Sequence, residues 1–383
     1  MDFSFSEEQQ MLLDTTQRFI AKEYGFEKRQ GVRRQPDGFS REIWQGFADL
    51  GLLAINVPEE HGGLGGGPLE TMLVMSALGA GLVLEPYLSS AVLASRAVSA
   101  LGTAQQCAAL LPALAAGEQI AVLAHDEPAT RYDWSAIETR AWPLGEGYVL
   151  TGHKSVLPHG TSADLLLVTT RLAAAGQQGP LAVFAVPRDT PGLRRLPYTT
   201  VDGIPACELW LDQVFVPAAA MLGERSAVDV ADGAEKALGL VLDAGLAAIC
   251  AEAVGALDKL LAATIQYAKD RKQFGSPIAK FQALQHRMAD MVLHIEQARS
   301  MAYLAAVRCE DEDAALRSAA MSAAKVVIGQ ACRFVGQQAV QLHGGMGVTD
   351  ELDVSHFFKR LMAIELQFGS ADHHLEKYAA QLA

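Results

Sequence analysis

A block of short β-type runs set between two long stretches of helical periodicity constrains this chain more than any other feature. The runs cover residues 120–123, 148–150, 165–170, 181–186 and 208–211, with Gly, Pro and Asp turn signals between them. Strands this short are stable only when paired in one domain, expected over residues 118–226 as a small barrel. Before it, Ser6 offers a helix N-cap followed by Glu7 and Glu8, and Met11, Leu12, Phe19 and Ile20 recur at helical spacing. A second amphipathic segment spans 40–53, a Gly-rich loop spans 58–68, and helical patterning resumes at Leu69. From about Asp229, segments 238–269, 281–308 and 314–343 are long enough for bundle helices, and a shorter fourth follows Ser370. The expected fold is α+β: an N-terminal helical domain over 1–117, a central β-barrel domain over 118–226 and a C-terminal four-helix bundle over 227–383.

Charge narrows the function. Lys and Arg number 31 against 44 Asp and Glu, a net charge of −13. Such a surface argues against nucleic acid as partner, because phosphate backbones need a basic footprint. Local arginines still suit small anionic ligands. The start of the chain has neither the basic nor the apolar region of a secretory signal, and apolar stretches such as 238–250, which carries Asp243, are too short to span a bilayer. No membrane association is expected. Cys107, Cys207, Cys250, Cys309 and Cys332 are dispersed without metal-ligand spacing, which suggests reduced thiols in a cytoplasmic protein.

Three local runs carry chemistry. In Asp270-Arg271-Lys272-Gln273-Phe274-Gly275, Arg271 is a planar permanent cation suited to phosphate, Phe274 an apolar face and Gly275 a sharp helix exit. A basic helix end closed by a Gly cap reads the same way. In Gln341-Leu342-His343-Gly344-Gly345-Met346-Gly347, the glycines allow close backbone approach to an oxyanion, or serve as a turn; His343 reads as packed or helix-capping. The run from His125 to Asp133 is, by itself, a polar loop after a strand.

Together these runs resemble the acyl-CoA dehydrogenase family over essentially the whole chain, in the same three-part order. Arg271 to Gly275 is similar to the family's R-x-x-F-G, with Gln282 where a glutamine follows, and Gln341 to Gly347 is similar to its Q-x-x-G-G-x-G. The resemblance implies FAD as cofactor, with the pyrophosphate and adenosine half of a neighbouring subunit's FAD held by Arg271, Phe274, Gln282, Gln341, Gly344 and Gly345, and Ser370 near the cofactor. It implies α,β-dehydrogenation of an acyl-CoA: a carboxylate takes the α-proton, the β-hydrogen leaves as hydride to the flavin, and electron-transfer flavoprotein takes the electrons.

The departures are specific. The family's T-E-P-G-A-G-S-D loop aligns with Asp126 to Asp133, retaining Glu127, Pro128 and Asp133 but placing Arg131 and Tyr132 where small residues stand. Its K-x-W-I-T-N-G aligns with Lys154 to Gly160, so the flavin-covering Trp is Val156 and the flavin-bonding Thr is Pro158. Its Y-E-G-T-A aligns with Gln367 to Ala371, which puts Phe368 where the base belongs. The alternative base position on the first bundle helix falls near Gly245. Asp243 matches an acidic residue near substrate in relatives, and Glu365 lies three residues before Phe368; either could stand in as base. Arg131 could pair with the far carboxylate of a dicarboxylyl substrate or fill the pocket. The subgroup most similar is the small subunit of pimeloyl-CoA dehydrogenase, through Val335 to Gly345, Arg131-Tyr132-Asp133 and Phe368 to His374. That resemblance implies a heterotetramer with a homologous large subunit that supplies the catalytic Glu. A self-sufficient homotetramer with an unusual base, a non-catalytic acyl-CoA-binding scaffold and a flavin monooxygenase on the same fold stay open.

Overall fold

The computed structural model describes residues 5–174, 177–223 and 230–382; the expected boundary at 226/227 and the first four residues lie outside them. The helices are α1 (Glu7–Glu23), α2 (Phe26–Val32), α3 (Arg41–Asp49), α4 (Pro68–Gly81), α5 (Ser95–Leu101), α6 (Ala104–Ala115), α7 (Val230–Asp270), α8 (Gln282–Arg308), α9 (Ala314–His343), α10 (Asp353–Leu366) and α11 (Ala371–Ala380). The strands are β1 (Ala121–Ala124), β2 (Arg140–Leu144), β3 (Gly147–Pro158), β4 (Leu165–Ala174), β5 (Gln177–Pro187), β6 (Leu193–Thr199), β7 (Pro205–Pro217), and the short pair β8 (Lys272–Gln273) and β9 (Ser276–Pro277). A π-helical segment, Tyr87–Ala94, leads into α5. These elements gather into two units, each built from separate stretches of the chain.

One unit gathers Met1–Gly31, Pro68–Val83 and Leu246–Ala383. Ser6 caps α1 with a reciprocal bond to Gln9, as the sequence predicts. Helix α4 crosses α7 at closest range through two glycines: a Cβ at Gly79 would overlap the Glu252 carbonyl, and one at Gly255 the Ser76 carbonyl. Glu252 of α7 in turn receives a bidentate ion pair from Arg360 of α10, Nε–Oε1 2.6 Å and Nη2–Oε2 2.8 Å, both side chains buried. Helix α9 packs against α8, α10 and α11. One helix is expected after His343 from the sequence; the structure has two, because 353–366 forms α10 with Val354, Phe357, Leu361 and Ile364 buried along one face.

The other unit gathers Val32–Gly67 and Leu84–Gly245. Its seven strands make one mixed sheet in the order β1-β4-β2-β3-β7-β6, with β5 on the other side of β4. No bond pairs β5 with β6 among the described residues. The sheet nevertheless wraps one core that includes Val122, Leu150, Leu166, Phe184, Leu209 and Val214. Strands β2 and β6 escape the sequence reading because their sequences, RAWPL and LRRLPYT, carry Pro and Arg instead of apolar alternation. Helix α7 is long and apolar enough to cross a membrane, contrary to the expectation for this stretch, but 72% of its apolar window is buried, as in a core helix. All five cysteines are buried, and none is in a disulfide.

Candidate functional site

At one end of the bundle the two glycine-containing motifs meet. Tyr267, one turn before Arg271 on α7, stacks on His343 at the end of α9, with ring centroids 4.3 Å apart, and its hydroxyl donates to the His343 carbonyl at 3.3 Å. His343 is buried, its Nδ1 bonded to the Ala339 carbonyl at 2.8 Å. That is the packed role expected of it, and it brings Arg271 to the same end as Gly344 and Gly345. The β8–β9 turn lifts Phe274 out at φ 54° with 92% of its surface exposed, edge-on to Phe281 at 6.1 Å. Arg271, Gln282, Gln341, Gly344 and Gly345 are all exposed. Gly344 has φ 59°, and neither Gly344 nor Gly345 has a heavy atom within 4 Å of where a Cβ would sit. A cation, a bare aromatic ring, side-chain amides and an uncovered glycine backbone thus face outward together. That donor set fits the phosphates and adenine of FAD.

A second cluster surrounds position 368. Phe368 has φ 56° and Gly369 φ 107°. Lys325 of α9, fully buried, donates to the carbonyls of Ile364 (3.0 Å), Glu365 (2.8 Å) and Gly369 (2.6 Å). His374 bonds through Nε2 to the Phe368 carbonyl at 2.8 Å and through Nδ1 to Ser322 Oγ at 3.3 Å. A carbonyl only accepts, so Nε2 carries the proton. Burial pushes the His374 imidazole down to about 4. Ser370 is the N-cap of α11, accepting from the His373 amide at 3.2 Å. Glu365 is buried, and its Oε1 accepts from Arg333 Nη2 at 2.8 Å and the Ala371 amide at 3.2 Å. The carboxylate considered as a stand-in base is therefore committed to holding this turn.

The third cluster lies in the sheet unit. Lys154 on β3 is fully buried and donates to Glu127 Oε1 at 2.6 Å, Thr169 Oγ1 at 2.9 Å and the His125 carbonyl at 3.2 Å. The same Glu127 carboxylate accepts from the Thr139 hydroxyl (2.6 Å), the Thr139 amide (3.1 Å) and the Glu138 amide (2.7 Å). Burial pushes the Lys154 amine down to about 8 against the pull of Glu127. Burial raises the Glu127 carboxyl, but Lys154 and the bonds from Thr139 and Glu138 outweigh it and hold it below the usual range. Both groups are charged at neutral pH. The Ser155 amide donates to the Asp126 carbonyl at 2.8 Å, so the loop after β1 and a bulge in β3 are tied together. In that bulge Val156, at φ 48°, is half exposed, and its amide donates to Glu208 at 3.3 Å. Glu208 also holds His153 (2.7 Å) and Tyr198 (3.0 Å). Pro158 offers no donor, Arg131 is exposed at φ 50°, and Asp243 is half-buried in α7.

Arg131, Val156, Phe274 and Phe368 are non-glycine residues at positive φ, as are Leu82, His159 and Gln213. Lys325, Lys154 as a clamp, His374 and Tyr267 were not singled out from sequence. For Lys325 a signal existed: a lysine inside the apolar run Ala323-Ala324-Lys325-Val326-Val327.

Comparison with known proteins gives the family. The acyl-CoA dehydrogenase N-terminal, middle and C-terminal domain families match residues 6–118, 123–214 and 231–383. The chain is 31% identical over 389 residues to a probable acyl-CoA dehydrogenase, YngJ, of Bacillus subtilis, covering 100% of both. It is similar to a chain of the ChsE4–ChsE5 complex of Mycobacterium tuberculosis (27% identity, TM-score 0.86, covering 100% of this chain and 99% of that one). It is also similar to glutaryl-coenzyme A dehydrogenase in its glutaryl-CoA complex (26% identity, TM-score 0.89, covering 100% and 96%). With matched models spanning most of its length and a full-length relative, this chain belongs to the acyl-CoA dehydrogenase family, FAD-dependent oxidoreductases that act on CH–CH groups.

Proposed function

We propose that this chain is the small subunit of a heteromeric acyl-CoA dehydrogenase, similar to the pimeloyl-CoA dehydrogenase small subunit, working on a dicarboxylyl or related acyl-CoA. A homologous large subunit supplies the catalytic Glu, and electron-transfer flavoprotein receives the electrons. The observation that carries the proposal is Phe274: a bare aromatic ring, 92% exposed at a strained φ beside Arg271, is a surface built to be covered by something outside this chain. The heteromeric ChsE4–ChsE5 relative supports the same reading, and buried thiols outside any disulfide support a cytoplasmic setting. The division at 117/118 and 226/227 belongs to this proposal, supported by α6 ending at Ala115 and β1 starting at Ala121.

In this reading Arg271 neutralises phosphate charge, Phe274 packs on the adenine or ribose face, Gln282 and Gln341 donate amide hydrogen bonds, and Gly344 and Gly345 allow close approach. Hydride acceptance from the substrate β-carbon is the chemistry FAD supplies when bound. The partner's carboxylate takes the α-proton, because Phe368 has no atom that can, and loss of a general base alone costs about 10²–10⁴ in rate. Arg131, exposed on its loop, is available to pair with the far carboxylate of the acyl chain. The visible spectrum of the purified chain, alone and co-expressed with a homologous dehydrogenase, is the test. Flavin and acyl-CoA-dependent bleaching are expected only with the partner; a chain that alone binds flavin and is bleached by acyl-CoA is self-sufficient, and the pairing is wrong.

A further inference from the structure

Lys325 is a buried cation with no carboxylate bonded to it among the described residues; its three protons go to main-chain carbonyls. Two of these, on Ile364 and Glu365, belong to the last turn of α10, where carbonyls lack intrahelical partners. The third, on Gly369, lies just past Phe368. One ammonium therefore bridges both ends of the turn that carries position 368. In addition, His374 bonds the Phe368 carbonyl and Glu365 accepts the Ala371 amide. Between these anchors Phe368 stands at φ 56°, a conformation that a bulky aromatic keeps only where its surroundings over-determine it. The remaining titratable groups facing Lys325 are the Cys250 and Cys332 thiols and the Glu365 carboxylate; burial lowers its amine and these groups oppose the shift.

We propose that Lys325 is a positioning residue for the turn that carries position 368: it fixes residues 364–369 so that the side chain at 368 is presented in one direction, whatever that side chain is. The proposal rests on the functional reading above only in taking position 368 to stand where the family's base stands. Its consequence is that Phe368→Glu should place a base at this position in the assembled enzyme. A carboxylate there takes the α-proton, the bonding pair stays on the thioester as its enolate, and in D2O a deuteron returns to the same carbon, so no oxidant is consumed.

The experiment uses the full chain co-expressed with the homologous partner, whose own catalytic Glu is changed to Gln, and follows loss of the α-proton NMR signal of butyryl-CoA in D2O. Phe368→Glu is expected to exchange about 10²-fold faster than the parent chain. Adding Lys325→Met should remove about 10²-fold, and adding Lys325→Arg should restore most of it. Hydrogen exchange of amides 366–371 in the parent, Lys325→Met and Lys325→Arg chains is measured alongside, with about tenfold faster exchange expected for Lys325→Met alone. If Lys325→Met lowers the melting temperature but leaves both the turn amides and the α-proton exchange of Phe368→Glu unchanged, Lys325 is a core residue and the proposal is overturned. If Phe368→Glu exchanges nothing while Lys325→Met still loosens the turn, the clamp stands and the functional placement of position 368 is what fails.

Discussion

Tyr267 lies flat on His343, 4.3 Å between ring centroids, and so joins the end of α7 to the end of α9. Arg271 is one turn beyond Tyr267 and Gly344 follows His343 directly, so this contact brings the two candidate cofactor-binding runs to one end. Tyr267→Phe keeps the stack and loses the hydroxyl bond to the His343 carbonyl, an expected cost of about 0.5–1.5 kcal/mol. Tyr267→Ala loses the stack as well, about 0.5–1.5 kcal/mol beyond the lost burial, and should lower flavin retention in the assembled enzyme. Urea unfolding of the chain and flavin absorbance of the complex check the two effects separately.

Phe274 should separate stability from assembly. Its ring is almost wholly exposed, so Phe274→Ser is expected to change the unfolding free energy of the isolated chain by no more than about 0.5 kcal/mol. The same substitution should reduce co-purification of the partner and its flavin. A large loss of stability in the isolated chain would mean that the ring packs within it.

The Lys154–Glu127 pair makes an asymmetric prediction. Glu127→Gln strands a buried ammonium and should cost about 3–5 kcal/mol. Replacing both partners, Lys154→Met with Glu127→Gln, should cost far less than the sum of the singles. Chemical denaturation of the four chains forms the double-mutant cycle, and additive losses would show that the two residues are not coupled.

His374 sets a pH window. Its imidazole, pushed by burial from 6.5 to about 4, is neutral in the folded chain while the unfolded chain still binds a proton between those values. The unfolded state holding more protons, stability rises with pH there. The contribution is fully present above about pH 6.5 and is lost as pH falls toward 4, by about 3 kcal/mol in total. Denaturation midpoints from pH 7 to 4 should fall for the parent chain and flatten in this interval for His374→Gln.

Gly255 is expected to tolerate nothing larger. A methyl group there would overlap the Ser76 carbonyl, so Gly255→Ala should force α4 away from α7 and destabilise by about 1–3 kcal/mol or more. Gly233→Ala, in a position with open space, is the control and should be neutral or slightly stabilising in thermal melts.

Much of this protein was legible in its residues. The order of helical, β and helical segments, the Ser6 cap and the run Arg271 to Gly275 follow from local periodicity, turn chemistry and charge, which act over a few residues and leave their mark in consecutive letters. Phe368 in place of a carboxylate is likewise a fact of sequence, and it decides that residue 368 takes no proton. Tertiary structure decided the rest. That Glu365 is held by Arg333 and Ala371, that Lys325 grips three carbonyls across the 368 turn, and that Tyr267 meets His343 are contacts that join separate elements, most of them tens of residues apart. A buried charge must find its partners wherever the fold brings them, so no local pattern announces them. Strands β2 and β6 illustrate the same division: their Pro and Arg content argues against strand when read locally, and pairing with β3 and β7 overrides it.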